Sequence, residues 1–288
     1  MNSKLLSSHN IQEPESSVLY IVGTPIGNLN DLSPRALNIL KKVELIACED
    51  TRQTKKILQK FDFKNNLISF NKHNYLSKIP KIINYLNASK SIALVSDAGM
   101  PLVCDPGEEL VKDAKSKNIK IVCIPGPCAA ISALVTSGMS SSKFTFEGFL
   151  PKKKSEREKI LFEISKNEKT TIIFEAPHRL RKLLFELKVF CGGQREIQVS
   201  RELTKKFEEH IGDNIDKVID FFDGREVIGE ITIVIKGCNK KIKNIEFNQL
   251  ELKKELHELV KAGLSLSSAS KYLARKKNLT KKIVYNSY

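Results

Sequence analysis

Short apolar runs alternate with helical patterns along most of this chain, and that alternation limits the folds open to it. The first run, VLYIV at 18–22, is rich in β-branched residues and ends in Gly-Thr-Pro, which is typical of a buried strand entering a tight loop. Ser33 and Pro34 then supply a cap and a first residue for a helix predicted at 34–42. Strands that alternate with helices predict a mainly parallel, doubly wound sheet.

The same alternation continues to residue 235. Further strands are predicted at 44–48, 67–70, 91–95, 119–124, within FTFEGFLP, and at 170–176, 195–201 and 229–235. Helices are predicted at 51–60, 76–88, 107–117, 129–138, 155–167, 178–190 and 213–222. Because a second α/β unit begins near residue 129, the sequence predicts two α/β domains.

The strand pattern stops after Gly237. LELKKELHELVKAG predicts an amphipathic helix that ends at Gly263, and SLSSASKYLARKKN predicts a second helix with serines at its start. The predicted organisation is a disordered extension at 1–17, α/β domains at 18–128 and 129–240, and a basic helical appendage at 241–288.

The positive charge of the chain indicates a polyanionic partner. The formal net charge is +15, and a basic surface attracts and concentrates phosphates. A coding bias towards lysine explains the total equally well, since 39 lysines stand against nine arginines. The distribution is more informative, because residues 236–288 carry thirteen Lys or Arg against four Glu and no Asp.

No segment predicts export or membrane insertion. The first seventeen residues lack the apolar core of a secretory signal, and no later stretch approaches the ~20 apolar residues that span a bilayer. The sequence therefore predicts a cytoplasmic protein.

Three loops rich in Gly and Pro follow strands of the first domain, at 23–28, 96–107 and 124–130. The carboxyl ends of parallel strands open into one crevice, so these loops predict a shared pocket. They carry no Walker or GxGxxG motif, no His and no metal-ligand set, and they fit a polar small molecule held through backbone groups. Asp97 is predicted to contact the ligand and Asp105 to cap a helix.

Charged clusters flank the predicted crevice. Glu49-Asp50-Thr51-Arg52 can orient a substrate or begin a helix with Asp50 or Thr51 as its cap, and its spacing favours the cap. Lys152-Lys153-Lys154 fits phosphate contacts or a solvated face. Glu175-Ala176-Pro177-His178-Arg179 repeats the strand-end pattern, which places the pocket between the domains, and His178 is a base or a structural residue.

Seven ordered motifs resemble one family. They are LYIVGTPIGNLNDLSPRAL, CEDTR, SDAGMPLVCDPG, IPGPCAA, FEGFLPKKKSER, FEAPHR and RELTKKFEE. They resemble the tetrapyrrole methylase superfamily of class III S-adenosylmethionine-dependent methyltransferases, and within it the bacterial branch that methylates a ribose 2'-hydroxyl of a small-subunit rRNA cytidine. The resemblance covers residues 18–237 and extends to the helical tail. Cys104 and Cys128 depart from the serines expected there.

The resemblance implies that S-adenosylmethionine binds between the two domains of a homodimeric enzyme that acts on 16S rRNA or the small ribosomal subunit. The implied cofactor-binding residues are Thr24, Pro25, Gly27, Ser96, Asp97, Ala98, Gly99, Met100, Pro101, Pro125, Gly126, Pro127, Ala129, Ala176, Pro177, His178, Gly229 and Glu230. The expected catalytic residues are Glu49 and Asp50, which accept the hydroxyl proton, and Arg52, which holds a phosphate. The expected RNA contacts are Arg52, Lys152, Lys153, Lys154, Arg157, Lys271, Arg275, Lys276 and Lys277. No metal is required.

Two other functions stay open on the sequence. A methylase of the same fold that acts on a small macrocycle, such as a tetrapyrrole precursor, needs a large apolar cavity and has no use for the lysine triplet or the basic tail. A non-catalytic RNA-binding assembly factor explains the charge but not three rigid loops at strand ends.

Overall fold

The structure is a computed structural model that describes residues 13–238, 249–277 and 281–288. It divides into two compact units, one ending at Gly237 and the other beginning at Cys238. The first unit contains two five-stranded sheets. No helix in the described ranges is long and apolar enough to cross a membrane.

The first sheet is entirely parallel. Its strands are β1 (Val18–Val22), β2 (Leu45–Cys48), β3 (Leu67–Ser69), β4 (Ile92–Val95) and β5 (Lys120–Ile124). They lie in the order β3-β2-β4-β1-β5. The connecting helices are α1 (Pro34–Lys42), α2 (Thr51–Lys60), α3 (Tyr75–Asn87) and α4 (Glu108–Ser116). The predicted doubly wound parallel sheet is confirmed.

Strand β1 is buried on both faces, which explains its unbroken apolar sequence. Successive side chains of a strand point to opposite faces. Tyr20 accordingly packs with residues of α1 and α2, whereas Leu19 packs with residues of α3 and α4.

Two helix starts follow from local sequence. The Ser33 hydroxyl accepts the Ala36 N–H at 3.1 Å, with Pro34 as the first helical residue. The Asp50 carboxylate accepts the Arg52 N–H at 2.8 Å and caps α2. Because the capping contacts involve neighbouring residues only, α1 and α2 begin and end where the sequence predicts.

The second sheet is mixed. Its strands are β6 (Phe144–Phe149), β7 (Thr170–Glu175), β8 (Glu196–Arg201), β9 (Glu209–Asn214) and β10 (Ile231–Ile235), in the order β6-β7-β10-β8-β9. Only β6 and β7 pair in parallel, and the other pairings are antiparallel. The helices are α5 (Ala129–Thr136), α6 (Lys154–Lys166), α7 (Leu180–Cys191) and α8 (Ile215–Phe222).

Helix α5 belongs to the second sheet. Ala130 and Leu134 of this helix pack against Ile172 and Val234, in a cluster that also includes Ile26 from the loop after β1. The opposite face of the sheet is covered by α6, α7 and α8. A second α/β unit therefore begins near residue 129, as the sequence indicates.

Strand β9 was not predicted. Its sequence EHIGDN is polar except for Ile211, because it is an edge strand that pairs with β8 alone. The helix predicted at 213–222 was wrong in its first turn, because Asn214 is the cap and accepts the Lys217 N–H at 3.0 Å.

The start of the described chain is held by the first domain. Arg35 Nη2 lies 2.5 Å from Glu13 Oε1, and Glu15 accepts from Lys120 Nζ at 2.8 Å. The Glu15 N–H donates to the Tyr20 hydroxyl at 2.9 Å. The predicted disorder at 1–17 is therefore wrong for 13–17, and residues 1–12 lie outside the described residues.

The second unit is helical. It contains α9 (Gln249–Lys261), α10 (Leu266–Lys277) and the unpredicted short α11 (Lys281–Tyr285). Leu252 and Leu256 pack against Leu273 and Val284. Both predicted helices of the appendage are confirmed. The boundary predicted at 240/241 lies outside the described residues.

Candidate active site

The three Gly- and Pro-rich loops lie together at the carboxyl ends of β1, β4 and β5. The Thr24 N–H donates to the Gly99 carbonyl at 2.9 Å, and the Gly99 N–H donates back to Thr24 at 3.1 Å. Gly99 has a φ of +80°, which favours glycine. The Thr24 hydroxyl, fully buried, donates to the Ser96 carbonyl at 3.2 Å. These bonds fix two loops to each other.

A close backbone approach joins the third loop to the first. A Cβ on Gly126 would lie 2.8 Å from the Gly23 Cα, and a Cβ on Gly23 would lie 2.7 Å from the Gly126 Cα. Only glycine fits at both positions without moving the loops. The spacing of the pocket walls therefore depends on the absence of these two side chains.

A cleft of about 420 Å³ opens between these loops and the strand ends of the second sheet. That volume is in the range of pockets that hold one small ligand. The apolar part of its lining is Ile26, Met100, Val103, Phe149, Phe174, Leu203 and Ile231. Its charged residues are Glu49, Lys72, Asp97, Asp105, Glu175 and Glu230.

Half of the predicted cofactor residues line this cleft. They are Asp97, Ala98, Gly99, Met100, Ala129, Ala176, Pro177, Gly229 and Glu230. The structure places the others outside the lining, and they are Thr24, Pro25, Gly27, Ser96, Pro101, Pro125, Gly126, Pro127 and His178. The hydroxyls of Thr24 and Ser96 already donate to carbonyls of loop 96–99, so these residues support the loops. His178 is exposed and outside the cleft.

Three carboxyl groups on the N-terminal side of the cleft have raised pKa values. Burial raises the pKa of Glu49, and the charges of Asp105 and Asp97 add to the effect. Burial likewise raises the pKa of Asp97 and of Asp105. The predicted capping role of Asp105 is wrong, because Gly107 is the residue before α4 and Asp105 lines the cleft.

Asp50 differs from these three. Its carboxylate accepts the Arg52 N–H at 2.8 Å and the Arg52 Nη2–H at 2.7 Å. These hydrogen bonds hold the pKa of Asp50 below its usual range. A carboxylate so engaged is a weak base, so the structure contradicts its predicted role as proton acceptor and supports the alternative, a helix cap. Glu49 lines the cleft, and its role as proton acceptor remains a prediction.

The C-terminal side of the cleft carries a buried ion-pair network. Glu175, 2% exposed, accepts from Arg157 Nη2 at 3.1 Å and forms an ion pair with Arg179, whose Nε lies 3.1 Å from Oε1. Arg157 Nε donates to Glu186 at 2.6 Å, and Arg179 Nη2 donates to the Leu150 carbonyl at 2.9 Å. The network holds the segment before Ala176 and Pro177, which line the cleft.

The RNA contact predicted for Arg157 is wrong. Its side chain is 5% exposed and is engaged by two glutamates, so it cannot reach a ligand on the surface. The FLPKKKSER motif identified a basic segment, but only the tertiary structure shows that this arginine turns inward.

A second network, which the sequence did not predict, adjoins the cleft at Glu230. Lys205 Nζ donates to Glu202 at 2.8 Å and lies 3.1 Å from Glu230 Oε2. Burial opposes ionisation of Glu202, but the Lys205 hydrogen bond and the Glu230 N–H lower its pKa overall. The Asn28 N–H donates to the Thr204 hydroxyl at 2.9 Å, which ties this segment to the first domain. The RELTK motif, at the end of β8, was the signal that could have identified these residues.

The other predicted RNA contacts lie on the surface. Lys152, Lys153 and Lys154 are exposed, and Lys153 pairs with Glu156 at 2.8 Å. On α10, Lys271, Arg275 and Lys276 are exposed, and Lys276 lies 3.6 Å from Glu255. The Lys277 side chain lies outside the described part of the chain. RNA binding by these residues remains a prediction.

Comparison with solved structures identifies the fold. The crystal structure of uroporphyrin-III C-methyltransferase from Thermus thermophilus complexed with S-adenyl homocysteine matches with a TM-score of 0.54 and 14% identity, over 76% of this chain and 96% of that chain. This likeness places the protein in the class of two-domain α/β proteins with the fold of that structure. The family model for Tetrapyrrole (Corrin/Porphyrin) Methylases matches residues 18–219. The chain therefore belongs to the tetrapyrrole methylase family, and its cofactor is S-adenosylmethionine.

Two curated relatives match almost the whole chain. Both are named Ribosomal RNA small subunit methyltransferase I. The protein from Synechocystis sp. is 41% identical over 93% of this chain and 96% of its own length. The protein from Bacillus subtilis is 41% identical over 95% of this chain and 94% of its own length. The family resemblance read from the seven motifs is confirmed.

Proposed function

We propose that this protein transfers a methyl group from S-adenosylmethionine to the ribose 2'-hydroxyl of a cytidine in 16S rRNA, in the cytoplasm. The observation that carries the proposal is an unpaired, desolvated carboxyl group, Glu49, next to the exposed cations Arg52 and Lys72. A ribose hydroxyl needs a proton acceptor and its phosphates need cations. The relatives named for small-subunit rRNA support the same substrate.

The cleft fits the proposed cofactor. Carboxylates at Asp97, Asp105 and Glu230 match the positive charges of an ammonium and a sulfonium group. Apolar side chains such as Ile26 and Ile231 suit the adenine ring, and backbone groups of the rigid loops supply hydrogen bonds. When bound, S-adenosylmethionine supplies a methyl group whose carbon–sulfur bond breaks, leaving both electrons on sulfur, as the acceptor oxygen bonds to carbon.

Glu49 is the proposed proton acceptor for the ribose hydroxyl. Its carboxylate makes no hydrogen bond or ion pair within the part of the chain that the structure describes. Its raised pKa makes it a better base than Asp50. The rigid loops contribute by holding donor and acceptor in near-attack geometry. Arg52, whose side chain is 84% exposed, is proposed to hold a neighbouring phosphate.

The remaining partners are also proposals. Lys152, Lys153 and Lys154 are proposed to contact phosphates, together with Lys271, Arg275, Lys276 and Lys277 of the appendage. The homodimer implied by the family resemblance is part of the same proposal.

The test is transfer of a labelled methyl group from S-adenosylmethionine to small ribosomal subunits from a strain that lacks the enzyme. We expect the label in 2'-O-methylcytidine after nucleoside analysis. Small subunits that already carry the modification are the control and should accept little label. Cofactor binding without label in RNA would contradict the proposal and favour a small-molecule methylase.

A tetrapyrrole substrate is the second candidate, because the structural neighbour acts on uroporphyrin-III. The same assay distinguishes the two, with uroporphyrinogen III as the alternative acceptor. Methyl transfer to the macrocycle and none to the ribosomal subunit would replace the RNA proposal.

A further inference from the structure

A second cavity, of about 430 Å³, adjoins the cofactor cleft on its N-terminal side. Glu49, Lys72 and Asp97 line both cavities. The rest of the second cavity comes from the segment 50–52, Ser69, Asn71 and His73. A ligand in this cavity would therefore meet the cofactor cleft at the two carboxylates whose pKa values are raised by burial.

The loop at residues 71–74, which contributes to the lining of this cavity, is held rigid by its own side chains. The Asn71 N–H donates to the Asn74 side-chain oxygen at 2.9 Å, and the His73 N–H donates to the Asn71 side-chain oxygen at 3.0 Å. Asn74 Nδ2 donates to the Ser69 hydroxyl at 2.9 Å. The adjacent Phe70 is buried, and its N–H donates to the Cys48 carbonyl at 2.7 Å.

This rigid loop presents two side chains that the fold does not use. Lys72 and His73 are exposed, and neither side chain makes a hydrogen bond or ion pair within the described ranges. Lys72 is close enough to Glu49 and Asp105 to lower their pKa values against the effect of burial. The loop therefore places a cation and an imidazole in the lining of a cavity that also contains the carboxyl groups of Glu49 and Asp97.

That combination fits one chemical unit. A phosphate needs a cation and a hydrogen-bond donor, whereas a hydroxyl that must lose its proton needs a carboxylate. A nucleotide carries both a phosphate and a ribose hydroxyl. In a single-stranded segment its base is unstacked, so the whole nucleotide can enter a cavity.

We propose that this cavity binds the acceptor nucleotide of single-stranded RNA, with Lys72 and His73 contacting the phosphate next to the acceptor ribose. The inference rests on the proposed function and adds a substrate subsite built by the loop after β3. The cofactor is held in the neighbouring cleft, and the 2'-hydroxyl faces Glu49 at the shared boundary.

The test compares Lys72→Ala and Lys72→Arg with Lys55→Ala, a substitution of an exposed lysine on α2 that lines neither cavity. We expect the KM for small ribosomal subunits to rise about tenfold in Lys72→Ala, to recover in Lys72→Arg, and to stay unchanged in Lys55→Ala. The affinity for S-adenosylmethionine should not change in any of them. The slope of log affinity for a short single-stranded oligocytidylate against log salt should fall by about 0.7 in Lys72→Ala.

The outcomes separate this inference from the proposed function. A wild-type protein that methylates the subunit, with a Lys72→Ala variant that has the same KM and salt slope, overturns the inference alone. If the wild-type protein transfers no methyl group, the proposed function fails. Binding of oligocytidylate by cofactor-loaded protein then still tests whether the cavity binds single-stranded RNA. Equal binding by wild type, Lys72→Ala and His73→Ala overturns it. A parallel loss of cofactor affinity also overturns it, because Lys72 would then act on the cofactor cleft.

Discussion

Acidic side chains lie on both sides of the cofactor cleft, but their electrostatic surroundings differ. On the N-terminal side, burial without a cationic hydrogen-bond partner raises the pKa values of Glu49, Asp97 and Asp105. On the C-terminal side, Glu175 is paired with two arginines and Glu202 with Lys205. Both sides contain buried carboxyl groups, but within the described residues only the C-terminal side pairs them with cations at hydrogen-bond distance, whereas Asp97 on the N-terminal side accepts the Asp50 N–H at 2.9 Å.

This difference distinguishes carboxylates that are available for catalysis from carboxylates that stabilise the fold. An unpaired carboxylate in a cleft destabilises the fold in its charged form and is available to accept a proton. A paired carboxylate has its oxygens occupied and holds the surrounding segments in place. Substitutions on the N-terminal side should therefore lower turnover, whereas substitutions on the C-terminal side should lower stability.

The largest expected effect is on turnover in Glu49→Gln. Loss of a proton acceptor should lower kcat by about 10²–10⁴ while the affinity for S-adenosylmethionine stays within about threefold. In the wild type, kcat should fall as pH falls through the raised pKa of Glu49, because the protonated acid cannot act as a base. The pH–rate profile of Glu49→Gln should lack this decrease.

The control for this experiment is Glu226→Gln, which changes an exposed glutamate outside the cleft. Its kcat and pH profile should match the wild type. A Glu49→Gln variant that keeps more than a tenth of the wild-type kcat would remove Glu49 from the mechanism.

The next effect is on stability in Glu175→Gln. This substitution removes the buried counter-charge that Arg157 and Arg179 share and leaves Arg157 with Glu186 alone, so the free energy of unfolding should fall by about 3–5 kcal/mol. Urea denaturation measures the change. As a control, Glu163→Gln changes an exposed residue on α6 and should lower the free energy of unfolding by less than about 0.5 kcal/mol. A Glu175→Gln protein as stable as the wild type would abolish the contrast between the two sides.

A smaller effect is expected on cofactor affinity in Gly126→Ala. The added Cβ would lie 2.8 Å from the Gly23 backbone and would push two loops apart. Overpacking of this kind costs about 1–3 kcal/mol, so S-adenosylmethionine binding should weaken at least about tenfold, measured by calorimetry. Gly212→Ala is the matched control, because its nearest neighbour would be 3.5 Å away. Equal affinity in both variants would show that the approach of the two loops does not shape the cleft.

The smallest expected effect is a gain of stability in Asp105→Asn. The folded-state pKa of Asp105 is raised, so the native state binds more protons than the unfolded state between the two pKa values. The wild type therefore loses stability as pH rises through that window, and the neutral variant does not. We expect a melting temperature about 2 °C higher than wild type at pH 7, with the difference lost at acid pH. A lower melting temperature at pH 7 would mean that the Asp105 charge is stabilised by its surroundings.

Much of the fold was predictable because its signals are local. The cap at Ser33 and the apolar run at 18–22 depend on neighbouring residues, and both gave correct elements. Strand β9 was missed because its polar sequence is stable as a strand only against β8. The capping role expected for Asp105 failed for a related reason, since capping is decided by where the chain turns into α4 at Gly107.

The sequence by itself determined the parallel sheet, the second α/β unit, the family and the three loops at the strand ends, because these follow from periodicity and from motifs of adjacent residues. Only the tertiary structure decided which charged residues found partners. Asp50 and Arg157 read as functional residues, and both are engaged by neighbours. Lys72 belongs to none of the sequence motifs and lies at the boundary of two cavities. Charge pairing depends on distances between segments far apart in the chain, and a linear pattern does not contain those distances.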